Sequence, residues 1–186
     1  MHEKYEPLVV EKPIEDSYDF YSERAPGRIR KTIAEVVEKE APISLALVTR
    51  RVTAFWGFSR ITAKAVKRVL AHVPQDKVRI QKIAGDIFLW RVGQEPREYE
   101  SFRVPGSHPD SHRSVDDIPV EEIANAAMHI LRSQISLPIA DLARETGRLF
   151  GFERMGNHVL ETMMRGLVLL TKKGSARIDS EMISVT

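Results

Sequence analysis

Nine cations with few acids among them are the residues whose types and spacing can do chemistry in this chain: Arg50, Arg51, Arg60, Lys64, Lys67, Arg68, Lys77, Arg79 and Lys82. At 100° per residue, Arg60, Lys64, Lys67 and Arg68 share one half of a helical wheel, and Ile61, Ala65, Val66, Val69 and Leu70 take the other. A cationic face of this kind attracts a polyanion, because each Lys or Arg set against a phosphate releases a condensed counterion. The chain's net charge of +2 conceals how unevenly it is spread: residues 28–91 carry +9, residues 116–186 carry −2, the first 27 residues −4 and residues 92–115 −1. A solvated helix face is the plainer reading of such cations. The bias of the whole stretch favours contact with nucleic acid, DNA being the expected partner.

Catalytic chemistry finds no foothold. The chain has no cysteine, which excludes thiol nucleophiles, disulfides and Cys-ligated zinc. There is no Gly-x-x-x-x-Gly-Lys-Ser/Thr loop and no Gly-x-Ser-x-Gly turn, and no acidic residue is followed two positions later by the lysine that many nucleases need. His108, Asp110 and His112 sit in a Pro/Ser-rich stretch without further ligands, so no metal and no cofactor is expected. Trp56 and Trp90 lie in apolar runs and read as core aromatics, and Met155, Met163 and Met164 read as helix packing.

The elements that must position the cations are written twice. At an offset of 94 residues, Ile33–Leu70 matches Ala127–Met164 without a gap, centred on Trp56-Gly57-Phe58-Ser59-Arg60 against Phe150-Gly151-Phe152-Glu153-Arg154. In the first copy the apolar spacing predicts a helix over residues 28–39, an extended link at Ala41-Pro42-Ile43, and a second helix capped by Ser44. Gly57 makes a sharp turn, a third helix starts near Arg60 or Ile61 and runs to about His72, and the strands 77–81 and 87–90 flank a turn at Ala84-Gly85-Asp86. In the Gly-Phe-x-Arg turn the glycine bends the chain and the phenylalanine plugs the core. Arg154 reads as structural, while Arg60 stays open between a helix end and a phosphate.

The second copy keeps this order, with His158, Glu161, Thr162 and Arg165 where the first has its basic face. The expected fold is mainly α with small β-hairpins, an α+β arrangement of tandem winged helix-turn-helix repeats. Its predicted divisions are an acidic strap over 1–27 that packs on the core, a basic repeat over 28–92, a linker over 93–115 and a near-neutral repeat over 116–186. Tyr5, Leu8, Val9, Val10, Ile14, Tyr18, Phe20 and Tyr21 make the strap too apolar to wave in solvent. No apolar run approaches a membrane span and the acidic start lacks the order of a signal peptide, so a cytoplasmic protein is expected.

The run Glu40-Ala41-Pro42-Ile43, the helix ending in Arg50-Arg51-Val52, the turn Phe55-Trp56-Gly57-Phe58-Ser59-Arg60 and the closing Phe88-Leu89-Trp90 together resemble an uncharacterised domain. That domain stands at the C-terminal end of very large bacterial proteins with superfamily 1 helicase-like motors. Ile118-Pro119 and Leu149-Phe150-Gly151-Phe152-Glu153-Arg154 extend the resemblance to the second half. It implies a non-catalytic module of a larger helicase-related ATPase, partnered by the motor of the same parent chain, and it implies no catalytic residues. Two functions follow as expectations. One is DNA binding through the third helix and hairpin of the first repeat; the other is a protein interaction or homodimerisation module.

Overall fold

The computed structural model describes residues 2–83 and 85–186. The chain divides into two compact units, one of Glu6–Gln94 and one of Met1–Tyr5 with Glu95–Thr186. Strand β1 (His2–Tyr5) belongs to the second. The first unit runs α1 (Ala25–Glu40), β2 (Ile43–Ser44), α2 (Leu45–Ala54), α3 (Ala63–Ala71), β3 (Val78–Ile83) and β4 (Asp86–Arg91). The second adds β5 (Phe102–Pro105), α4 (Val120–Gln134), β6 (Ser136–Pro138), α5 (Ile139–Leu149), α6 (Asn157–Lys172), β7 (Ala176–Asp179) and β8 (Met182–Val185). The result is a mixed α/β structure.

Local chemistry sets the helix limits. Helix α1 begins at Ala25, ahead of the predicted Arg28, because Pro26 falls in the first turn, where a missing N–H costs nothing. Its stripe of Ile29, Ile33, Val36 and Val37 is buried. Ser44 Oγ accepts the Leu47 N–H at 3.0 Å and caps α2. Thr62 Oγ1 accepts the Ala65 N–H at 3.1 Å, so α3 starts at Ala63 and leaves Arg60 outside the helix.

The repeat is physical at the turn it is centred on. The N–H groups of Gly57 and Phe58 donate to Ala54 O (3.0 Å) and Thr53 O (3.2 Å), and those of Gly151 and Phe152 donate to Arg148 O (3.0 Å) and Gly147 O (3.1 Å). Each pair is a Schellman closure with a glycine in the left-handed region, at φ +72° for Gly57 and +86° for Gly151.

The link before α2 is a strand rather than a bare connector: Ile43 pairs with Leu89, and at the same offset of 94 residues Leu137 pairs with Ile183. Both units therefore carry three-stranded antiparallel sheets, in the orders β2-β4-β3 and β6-β8-β7. Gly85, at φ +94°, turns the first hairpin, and Ala84 of the predicted turn lies outside the described residues.

Two predicted divisions need correction. Residues 93–115 are not a free linker, since β5 pairs in parallel with β1 over His2↔Phe102 to Tyr5↔Pro105. The strap over 1–27 is split, with residues beyond Tyr5 belonging to the first unit. There the Leu8 N–H donates to Glu40 Oε1 at 2.7 Å, Ile14 and Glu15 both donate to Phe55 O, and Phe20 is fully buried. Val9, Ile14 and Tyr18 are exposed instead of packed, because the strap is held by backbone hydrogen bonds and one aromatic anchor.

In the second unit Glu122 is wholly buried, and its carboxylate takes bonds from the Arg103 side chain, the Arg103 N–H (2.8 Å) and both Arg113 terminal nitrogens (2.8 and 2.9 Å). The two guanidiniums also lie over the ring of Tyr5, at 5.1 and 4.5 Å, tying β1 to this cluster. Burial alone would raise the Glu122 pKa, but the two arginines hold it at about 2. Burial, with Glu122 beside it, pushes the Tyr99 hydroxyl up to about 12.

A carboxylate depressed in the folded state stabilises above its unfolded pKa and loses that contribution as pH falls through the folded one. Acid titration followed by circular dichroism is therefore expected to show the second unit losing stability from about pH 4.5 down to about pH 2. Glu122→Gln, which strands two buried guanidiniums, is expected to cost roughly 3–5 kcal/mol in chemical denaturation at neutral pH. Gly151→Ala is expected to cost about 1–3 kcal/mol, and more than Gly57→Ala, because its new Cβ would stand 2.9 Å from the Pro105 ring against 3.3 Å from Pro13 at Gly57.

Candidate nucleic-acid interface

The nine cations separate once the elements are in place. Helix α3 brings Lys64 and Lys67 together on an exposed face, with exposed Arg60 in the extended turn just before its Thr62 cap. Lys64 Nζ stands 4.2 Å from the centroid of the Tyr21 ring, an attraction that leaves the ammonium in solvent.

Arg51 leaves the candidate set. It is buried in α2 with its Nε 3.1 Å from Glu40 Oε1, so it neutralises a wholly buried carboxylate and cannot reach a phosphate. Arg68 is half-buried, its Nη2 donates to Ser22 O at 2.8 Å, and its guanidinium lies 5.7 Å from the Tyr21 centroid. It pins the strap to α3. Arg50 is exposed on the same helix as Arg51.

The hairpin does not present its cations as one surface. Strand alternation, with Arg79 opposite Trp90 and Lys82 opposite Ile87, sends the two exposed side chains to opposite faces. Lys77, just before β3, lines an open groove of about 1150 Å³ with Arg30, Lys31, Glu35 and Glu38 of α1. What α3 gathers is thus compact, and the hairpin contributes from its two sides.

The corresponding positions of the second unit are chemically different. His158 Nε2 lies 2.7 Å from Asp116 Oδ1, and Thr162 is buried with its hydroxyl on His158 O. Glu161 and Arg165 are exposed and of opposite sign. Trp56 and Trp90 are buried, the latter donating to Gln81 Oε1 at 2.8 Å, which suits core aromatics. The Asp110 N–H bonds His108 Nδ1 in a local turn. Among the described residues no group of three or more His, Asp or Glu could hold a metal ion, and no helix is long and apolar enough to cross a membrane.

Sequence reasoning missed the role of the strap beside α3. Phe20 packs edge-on against Trp56 and Phe58 with centroids 5.2 and 5.1 Å apart, and so delivers Tyr21 to Lys64 and Arg68. The signal was present in the aromatic cluster of an otherwise acidic segment, but its docking partner is more than thirty residues away along the chain.

The two kinds of cation are separable by stability. Arg51→Met is expected to destabilise the first unit by roughly 3–5 kcal/mol because Glu40 stays buried without its counter-charge. Lys67→Ala should remain within about 0.5 kcal/mol of the parent. Urea denaturation followed by tryptophan fluorescence checks both.

Residues 18–67 match the family model described as "Protein of unknown function (DUF3320)". The matched stretch runs from Tyr18 through α1, β2 and α2 into α3 as far as Lys67, and stops short of the hairpin. That description carries no activity and no link to a helicase motor. No curated protein and no solved structure matches the chain.

Proposed function

We propose that the first unit is a winged helix-turn-helix module that binds the phosphate backbone of DNA through α3 and its hairpin, as a non-catalytic part of a larger helicase-related protein. The observation that carries this reading is the exposed trio Arg60, Lys64 and Lys67 on and just before α3, within a stretch of net charge +9 over residues 28–91. Arg79 and Lys82 extend the positive field along the hairpin. Such contacts fix a protein on a duplex without reading bases. The unit's buried cations, Arg51 above all, supply structure instead.

The second unit favours a different task. Its Ile135 is 73% exposed and held at φ +66°, a conformation costly for a β-branched residue, and Ile178 and Met182 are exposed on opposite faces of the adjoining sheet. Strain of this kind collects where structure serves contact, which supports a protein-interaction or dimerisation role for that unit.

Fluorescence anisotropy on duplex DNA at several salt concentrations tests the primary reading. Affinity is expected to fall with a log–log slope of about −0.9 per neutralised phosphate. Lys64→Ala with Lys67→Ala should weaken binding to all sequences alike and flatten the slope by up to roughly two units, whereas Arg165→Ala with Arg177→Ala should change little. An unaltered slope in the folded double variant would reject this face and leave the interaction module.

A further inference from the structure

The strap presents one large side chain that packing does not explain. Tyr18 is 90% exposed, more than any other large hydrophobic residue described. It is nonetheless not on a loose end. Asp16 Oδ1 accepts the Tyr18 N–H at 2.9 Å, the Asp19 and Phe20 N–H groups donate to Asp16 O and Ser17 O, and Tyr18 caps the 3₁₀ turn Asp19–Tyr21 in helical conformation. Two residues on, Phe20 is fully buried against Trp56, and Ser22 O is held by Arg68. An aromatic ring is thus projected into solvent from a backbone fastened on both sides.

Its position is set by the turn. Tyr18 immediately precedes the 3₁₀ turn Asp19–Tyr21, three residues ahead of Tyr21. Tyr21 is the half-buried ring against which Lys64 rests, 4.2 Å from its centroid, and near which Arg68 lies at 5.7 Å. The exposed ring therefore belongs to the same short segment whose Tyr21 meets Lys64 and Arg68 of α3.

An exposed aromatic beside a phosphate-binding face is the arrangement that stacks an unpaired base while cations hold the backbone. A fully paired duplex offers no unpaired base, and a single-stranded tail does. Resting on the nucleic-acid reading above, we infer that Tyr18 is a stacking platform for an unpaired base, and that the preferred ligand of the first unit is a duplex with a single-stranded tail.

The whole chain is titrated against a labelled blunt duplex and against the same duplex extended by a short single-stranded tail, at one salt concentration. The parent protein is expected to bind the tailed form about tenfold more tightly, within the range that stacking one base on an aromatic ring provides. Tyr18→Ala should reduce the tailed affinity to the blunt level and leave blunt-duplex binding and thermal stability unchanged, and Tyr18→Trp should restore the preference. Equal affinity of the parent for both duplexes, or a Tyr18→Ala variant that keeps the tail preference or loses both ligands equally, overturns the inference. Where blunt-duplex binding persists with its salt dependence, only the role of Tyr18 falls. Absence of binding to either duplex removes the nucleic-acid reading and this inference with it.

Discussion

The reversal at Gly57 is the constraint on which the first unit depends. A left-handed glycine closes α2, and the next residue, Phe58, is thereby turned inward against Phe20. Phe20 in turn packs on Trp56, fixes the strap and sets Tyr21 under Lys64. Remove the bend, and the start of α3, the seat of the strap and the placement of the exposed cations change together. Gly151 imposes the same closure in the second unit, where Phe150 packs against Phe102 with centroids 6.3 Å apart. The turn is kept because a side chain at that φ would cost energy in both units, and what hangs on it is free to differ.

Buried charge organises each unit as firmly as its apolar core does. Glu40 receives Arg51 and the backbone of Leu8, and Glu122 receives Arg103, Arg113 and a backbone N–H. A carboxylate taken out of water is tolerable only with its hydrogen bonds complete, so each one dictates where a distant segment must lie. The two sites are not related by the repeat: at an offset of 94 residues Glu40 corresponds to Gln134, and Arg28 corresponds to Glu122. Each unit thus places its polar anchor at a position the other does not use.

Much of this was legible in the sequence because it is local. The apolar stripe of α1, the Ser44 cap and the glycine turns follow from spacing and side-chain chemistry within a few residues. Contacts between distant segments were not. Ile43-Ser44 is two residues of strand that exist only because β4 pairs with them, and β1 becomes a strand only beside β5, about a hundred residues away. The cations show the limit most clearly. Arg50 and Arg51 are neighbours of one type, yet one is exposed and the other buried on Glu40, since the 100° step between them crosses from solvent to core. Arg68 lay on the correct helical face, but the strap that captures it comes from 46 positions earlier.

The two copies diverge by a compensated exchange of length. Helices α3 and α6 start at equivalent residues, Ala63 and Asn157, but β3 begins 15 residues after the first start and β7 begins 19 after the second. Helix α6 is seven residues longer than α3 and the link after it three shorter, while four residues are missing from the second hairpin, so β4 and β8 recover the offset of 94 and pair β2 and β6 identically. In the first unit the hairpin keeps two further cross-strand pairs, Lys82↔Ile87 and Ile83↔Asp86, at its tip. The part of the ladder that both units share supplies the buried Leu89 and Val78. The added pairs lengthen the hairpin and carry exposed Lys82, Ile83 and Asp86, with only Ile87 half-buried. On the proposed reading this is the reach of a wing towards a strand, and the second unit, having given up that reach for two further turns of helix, has left the task to the first.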